Sequence, residues 1–158
     1  MRLPAGWVIG AREDGTGLIA RLPSTNEEVH VTQYQSKAEH AGETPTQHIQ
    51  RFVDEQSPPD PESPEVKDVV PFAPFDMPSG EPATMRIQDL GGNEFAVQYA
   101  IALPAGELYA VNFYCTGYSE SAVSTYSKIV RNARIAPDAT VTLNRLGSKA
   151  VKARHRSA

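Results

Sequence analysis

The chain has 158 residues, of which 40% are hydrophobic, and a formal net charge of −4. This length suits one domain with a buried core, and the negative charge argues against nucleic acid as the main partner. The single cysteine, Cys115, excludes a disulfide within the chain, and no apolar run approaches the ~20 residues that a membrane-spanning helix needs.

The two ends of the sequence bear on where the protein works. The opening MRLPAGWVIG lacks the charged-then-apolar pattern of a signal peptide and holds no cysteine for a lipid anchor. We therefore predict a cytoplasmic protein, with an exported or lipid-anchored protein as the alternative if an N-terminal signal has been removed. The closing GSKAVKARHRSA, residues 147–158, carries lysine and arginine but no acidic residue. We predict a basic disordered tail, with contact to phosphate or an anionic membrane as the alternative.

Three short strands are predicted in the first part of the chain. Residues 7–9 are apolar and follow the turn sequence PAG, and residues 18–22 follow a turn that contains two glycines. Residues 28–35 alternate between two kinds of side chain, as a half-exposed strand does. The short turns between these segments predict an antiparallel meander.

A helix is predicted next. The sequence TPTQ at residues 44–47 has the form of a capping box with proline at the first helical position. Behind it Ile49, Phe52 and Val53 fall on one helix face. The helix is expected to end near Gln56.

Proline dominates the middle of the chain. Residues 57–67, SPPDPESPEVK, form an acidic connector that is too polar to pack. We predict a solvated loop, with a docking segment for a basic partner as the alternative. Residues 69–75, VVPFAPF, are apolar but broken by Pro71 and Pro74. This pattern predicts an edge strand or an extended segment that lies over the core.

Residues 83–117 show the clearest strand pattern. Residues 83–90 predict one strand, which the sequence GGN at 91–93 turns around. Two further strands are predicted on either side of the turn PAG at 104–106, with Gly106 in the left-handed conformation. The implied pairing creates one bulky face that must be buried: Phe95, Val97, Tyr99, Ile101, Tyr109, Val111, Phe113 and Cys115.

The opposite face of this hairpin consists mainly of small and polar residues: Ala96, Gln98, Ala100, Ala102, Leu108, Ala110, Asn112 and Tyr114. Small side chains on two neighbouring strands allow close approach, and a helix packed on the sheet is the first interpretation. The alternative is the floor of a shallow pocket, with polar contacts from Gln98 and Asn112 and a wall from Tyr114.

A second helix is predicted to run from Ser119 to about Asn132, capped by Ser119 or Ser121. Its apolar stripe consists of Ala122, Tyr126, Ile129, Val130 and Ala133. Ile135 then enters a last strand or an extended segment, and residues 140–146, TVTLNRL, predict an additional edge strand.

The order of these elements, together with three motifs within residues 3–136, resembles the PsbP/Mog-like superfamily. The motifs are LPAGW at 3–7, LPAGELYAVNF at 103–113 and STYSKIVRNARI at 124–135. The superfamily includes photosystem-II-associated PsbP, Ran-binding Mog proteins, bacterial DcrB, LpqN-type lipoproteins and Eag-type chaperones. The resemblance implies an α+β fold, an α/β/α sandwich in which helices pack on the faces of a central, mostly antiparallel β-sheet. It also implies protein binding rather than catalysis.

No catalytic residue, metal site or cofactor is predicted. The four histidines share no spacing suited to one metal ion, and the glycine pairs lack the spacing of a phosphate-binding loop. Cys115 lies on the predicted core face, where a cysteine usually behaves as a small apolar residue.

The sequence therefore predicts one domain over residues 1–146 that acts as a non-catalytic protein-binding module: an adaptor, a chaperone or an accessory subunit. Its partner is expected to be another protein. The candidate contact residues are Phe72 and Phe75 in the VVPFAPF segment, and Gln98, Asn112 and Tyr114 on the sheet face. The alternative is a small-molecule-binding protein or a template-type biosynthetic enzyme with a pocket on that face. A third possibility is an envelope protein whose anchor has been removed.

Overall fold

The computed structural model describes residues 3–11 and 17–133. Within these ranges the chain forms two α-helices, a short 3-10 helix at Ala38–His40 and seven strands. The strands are β1 (Val8–Ala11), β2 (Gly17–Leu22), β3 (Glu27–Gln35), β4 (Lys67–Pro74), β5 (Ala83–Gly91), β6 (Glu94–Ala102) and β7 (Glu107–Thr116). The helices are α1 (Pro45–Gln56) and α2 (Glu120–Arg131). The predictions made for Ile135, for residues 140–146 and for the tail at 147–158 fall outside the described residues.

All seven strands belong to one sheet, in the order β1-β2-β3-β7-β6-β5-β4. Every neighbouring pair is antiparallel. The predicted N-terminal meander is confirmed, and β3 joins it to β7, so that β1 and β4 form the two edges of the described sheet. The general prediction of an α+β fold with an antiparallel sheet is confirmed.

The hairpin of β6 and β7 has the predicted register. Tyr99 lies opposite Val111, and Val97 lies opposite Phe113. Gly106 adopts a φ of 87°, and its N–H donates to the carbonyl of Leu103 at 3.2 Å. The bulky face is buried as predicted, with Phe95 half-buried at its margin.

Helix α2 covers this bulky face. The hydroxyl of Ser119 accepts a hydrogen bond from the N–H of Ala122 at 3.0 Å, so Ser119 is the N-cap. The ring of Tyr126 stacks on Phe113 with centroids 4.2 Å apart. The hydroxyl of Ser127 lies 2.8 Å from that of Tyr99. Aromatic stacking and a satisfied buried hydroxyl pair therefore fix the helix on the sheet.

Helix α1 packs on the other face, which confirms the first interpretation of the small residues. Its capping box is complete: Thr44 Oγ1 accepts from the N–H of Gln47 at 3.2 Å, and Gln47 Oε1 accepts from the N–H of Thr44 at 2.9 Å. Phe52 points from the helix into a cluster with the three sheet residues that the pairing brings together, Ala100, Leu108 and Ala110.

Strand β4 is the predicted edge strand. It pairs with β5 through an irregular register that shifts between Asp68 and Val70 and again between Val70 and Ala73. Pro71 and Pro74 fit this position because proline has no N–H to donate to a neighbouring strand. The acidic connector before it is mostly exposed, as predicted.

Candidate functional site

Helix α1 covers only part of its sheet face. The alanine pair Ala100 and Ala110 lies under the helix. The next pair on this face, Gln98 and Asn112, is half-buried and polar. The same line continues onto the flanking strands, because His30 pairs with Asn112 and Arg86 pairs with Gln98. We call these four side chains, His30, Asn112, Gln98 and Arg86, the polar row.

The polar row crosses four adjacent strands, β3, β7, β6 and β5. Adjacent strands lie about 4.8 Å apart, so the row spans about 14 Å. Each side chain comes from the middle of a paired strand, and its backbone is therefore held rigidly. The row is a preformed strip of polar groups bordered by a helix.

The His30 end of the row is an ordered charge cluster. Glu28 lies two residues before His30 on β3 and accepts from Arg21 Nε at 3.0 Å. Its second carboxylate oxygen lies 3.0 Å from Nε2 of His30. These hydrogen bonds, that of Arg21 first, lower the pKa of Glu28. Tyr114 contacts the edge of the His30 ring with centroids 4.9 Å apart.

The Arg86 end of the row holds a buried cation. Arg86 is 7% exposed, and its Nε donates to Gln98 Oε1 at 2.8 Å. Its Nη1 donates to the carbonyl of Gln56, the last residue of α1, at 2.8 Å. The C-terminus of a helix carries partial negative charge, which favours a cation at this place. Burial lowers the pKa of Arg86, and nearby Asp68 opposes that shift.

Phe72 lies beside this cation. The guanidinium carbon of Arg86 is 4.4 Å from the centre of the Phe72 ring, a distance at which the ring face attracts the charge. The other side of Phe72 meets Phe52 of α1 edge-on at 5.8 Å. Phe72 is therefore half-buried next to the end of the polar row.

Phe75 lies elsewhere. It is 8% exposed and packs on the opposite sheet face, where its ring meets Tyr99 at 4.9 Å and lies under the guanidinium of Arg131. The structure thus brings together Gln98, Asn112 and Tyr114 and connects Phe72 to them through Arg86. It separates Phe75 from them by the thickness of the sheet.

Sequence reasoning missed three residues of this region, Glu28, His30 and Arg86. The sequence pattern of the β6–β7 hairpin does not indicate which strands lie beside it, and these are β3 and β5. A signal was present, since Arg86 stands between Met85 and Ile87 in a strand whose apolar residues alternate. A charged residue inside such a strand, on the same face as a polar pair, marks a site on the sheet surface.

The polar row offers two amides, one imidazole and one guanidinium. Within residues 3–11 and 17–133, no three His, Cys, Asp or Glu side chains are grouped as metal ligands. A histidine held by a carboxylate, as in His30 and Glu28, is a frequent general-base arrangement. The thiol of Cys115 lies on the opposite face, and burial raises its pKa, so it supplies no nucleophile to this pair.

Comparisons with known proteins add no identity. A scan against models of protein families found no match to this chain, and a search of curated proteins found no similar sequence. In the part of the chain that the structure describes, no helix combines the length and apolarity needed to cross a membrane. The functional argument therefore rests on the fold and on the polar row.

Proposed function

We propose that this chain is a non-catalytic protein-binding module, an adaptor, chaperone or accessory subunit, with a PsbP/Mog-like α/β/α sandwich fold. The polar row is part of its docking surface. The observation that carries this proposal is the incomplete cover of one sheet face: α1 buries the alanines at one end of the β6–β7 hairpin and leaves Gln98, Asn112 and Tyr114 half-buried beside it.

The residue types around the row support a protein as the partner. Tyrosine and arginine are enriched where protein partners bind most strongly, since each offers both a large contact area and a hydrogen-bond donor. Tyr114, Arg86 and exposed Arg21 supply these groups here. Val69 on the edge strand β4 adds an apolar side chain that is 46% exposed. The cytoplasmic location predicted from the sequence belongs to the same proposal, and fractionation of the host cell would test it.

Affinity purification with row-blocking variants tests the proposal. The variant Asn112→Trp places a large side chain in the middle of the row. The Asn112 side chain makes no hydrogen bond with the described residues, so its removal breaks none of them. The matched control is Ser124→Trp, at an exposed position on α2. Each protein is expressed in the native host, purified on an affinity tag, and its bound proteins are quantified by mass spectrometry.

We expect the wild type and Ser124→Trp to capture the same partner, and Asn112→Trp to capture it at least ~10-fold less with a thermal midpoint within ~2 °C of wild type. Equal capture by all three proteins would refute docking across the row. Native mass spectrometry of the purified wild type tests the alternative. A stoichiometric small molecule that Asn112→Trp loses, without any protein partner, would favour the small-molecule-binding protein or template-type enzyme.

A further inference from the structure

The polar row contains a buried positive charge that forms no ion pair with the residues described by the structure. Arg21 and Arg51 each form a salt bridge with a glutamate, whereas Arg86 forms none with any described residue. Arg86 is also the most deeply buried of the three, at 7% exposure. Arginine is seldom buried without a partner, because removing its charge from water is unfavourable unless an anion compensates.

One end of this guanidinium is unused. Its Nε and Nη1 donate to Gln98 and to the carbonyl of Gln56. Its Nη2 has no hydrogen-bond partner among the described residues. Protein atoms do not fully enclose this nitrogen. Because Nη2 is not fully enclosed, it can donate to a ligand group that contacts this 7% exposed side chain.

The nearby acidic side chains form no ion pair with this charge, and Asp68 attracts it only from beyond ion-pair distance. The carboxylate of Asp68 accepts from Gln88 at 3.1 Å and forms no ion pair with Arg86. The carboxylate of Glu28 is held by Arg21 and His30 at the far end of the row. Among the described residues no carboxylate is in ion-pair contact with Arg86, and a ligand can supply one.

The surroundings favour a carboxylate over a phosphate. The amide donors that the row offers on this side are few: that of Gln98, which pairs with Arg86, and that of Asn112 one strand further on. A singly charged, planar carboxylate can be satisfied by one guanidinium nitrogen and one amide. A doubly charged phosphate has three oxygens to satisfy and would be repelled by Asp68 more strongly than a singly charged carboxylate.

We propose that Arg86 anchors a carboxylate of the partner protein, an Asp or Glu side chain carried on an extended segment that lies along the polar row. This inference rests on the proposed function, in which the partner is a protein. The row spans about 14 Å, which matches about four residues of extended chain, and this exceeds the reach of a small carboxylic acid. Phe72 holds the guanidinium in place from the side of β4.

Titration with acetate, a small carboxylate, tests the anchor in the wild-type protein. In ¹⁵N-labelled protein the Nε–H signal of Arg86 and the side-chain amide signal of Gln98 are followed by NMR at constant ionic strength. We expect saturable shifts of both signals with sodium acetate, and none with sodium chloride or with acetamide, the neutral analogue. The Nε–H signal of Arg51 is the internal control, because this N–H already donates to the carboxylate of Glu43. Unmoved Arg86 and Gln98 signals in acetate would overturn the proposal.

The source of the carboxylate is tested with three further probes. These are a blocked pentapeptide with a central glutamate between valines, the same peptide with glutamine, and inorganic phosphate. We expect the glutamate peptide to bind at least ~10-fold more tightly than both the glutamine peptide and acetate. Tighter binding of phosphate would contradict the carboxylate, and a glutamate peptide no tighter than acetate would contradict a chain segment. The variant Arg86→Lys keeps the charge but lacks the planar guanidinium group. In this variant the ratio of the affinities for the glutamate and glutamine peptides is expected to fall at least ~5-fold.

The two proposals fail in different ways. If Asn112→Trp loses the captured partner while acetate leaves Arg86 unmoved, the docking surface stands and the carboxylate anchor is wrong. If acetate binds at Arg86 while Asn112→Trp captures the same proteins as wild type, the anion site stands and docking across the row is wrong.

Discussion

Replacing Phe52 with alanine would remove the aromatic contact that fixes α1 on the sheet. Phe52 is 9% exposed and packs against Ala100, Leu108 and Ala110. Truncating a buried phenylalanine to alanine costs about 3–5 kcal/mol, of which an edge-on aromatic contact such as that with Phe72 accounts for about 0.5–1.5 kcal/mol. Alanines on the facing strands are too short to fill the space. We therefore expect a loss of about 4 kcal/mol in the free energy of unfolding.

Urea unfolding followed by circular dichroism measures this loss. The control is Gln50→Ala on the outer surface of α1, where the side-chain amide donates only to Asp54 one turn later. Such a pair contributes about 0.2–0.5 kcal/mol. A loss below ~1 kcal/mol in Phe52→Ala, similar to a surface substitution, would refute the packing of α1 on the sheet. Such a result would also mean that α1 does not border the polar row.

Two further predictions concern titratable groups. Burial lowers the pKa of His48 on α1 from its ordinary value of 6.5, so the unfolded chain binds a proton more readily than the folded protein does. The free energy of unfolding is therefore expected to fall as the pH drops below about 6.5, and urea titrations of His48→Gln should show a weaker fall between pH 6.5 and 5. Burial raises the pKa of Cys115, and we expect its thiol to react with a disulfide reagent at pH 8 at least ~100-fold more slowly than in denaturant.

Each of these predictions has a clear counter-result. An unchanged pH dependence in His48→Gln would show that His48 does not titrate differently in the folded and unfolded states. The window stops at pH 5 because Glu28 and Glu43, whose pKa values are lowered from 4.5 by their arginine partners, also lose their contribution in acid. Rapid labelling of native Cys115 would show that its end of the bulky face opens to solvent.

The local sequence was enough to predict most of the fold because each element carries its own signal. Thr44 and Gln47 define the start of α1 through hydrogen bonds to the neighbouring backbone, which depend on nothing distant. Gly106 fixes the turn between β6 and β7, and the turn sets the register of every pair in that hairpin. Pro71 and Pro74 restrict β4 to an edge, since neither can donate to a further strand.

The candidate site was only partly predictable, because its line of residues crosses strands that lie far apart in the sequence. Gln98 and Asn112 face each other within one hairpin, and their pairing followed from the turn. His30 joins them through the contact of β3 with β7, which no local pattern specifies. Phe72 and Phe75 looked equivalent in VVPFAPF, yet they lie on opposite faces of the sheet, as residues three positions apart in an extended chain do.

The irregular β4 also affects how molecules of this protein can associate. A regular outer strand offers a row of N–H and C=O groups on which a second molecule can continue the sheet, and repetition of that step yields fibrils. Along β4 two of the eight residues are proline, and the pairing register shifts twice. Addition of a further strand at this edge is therefore disfavoured, since two of its N–H donors are missing and its register is irregular.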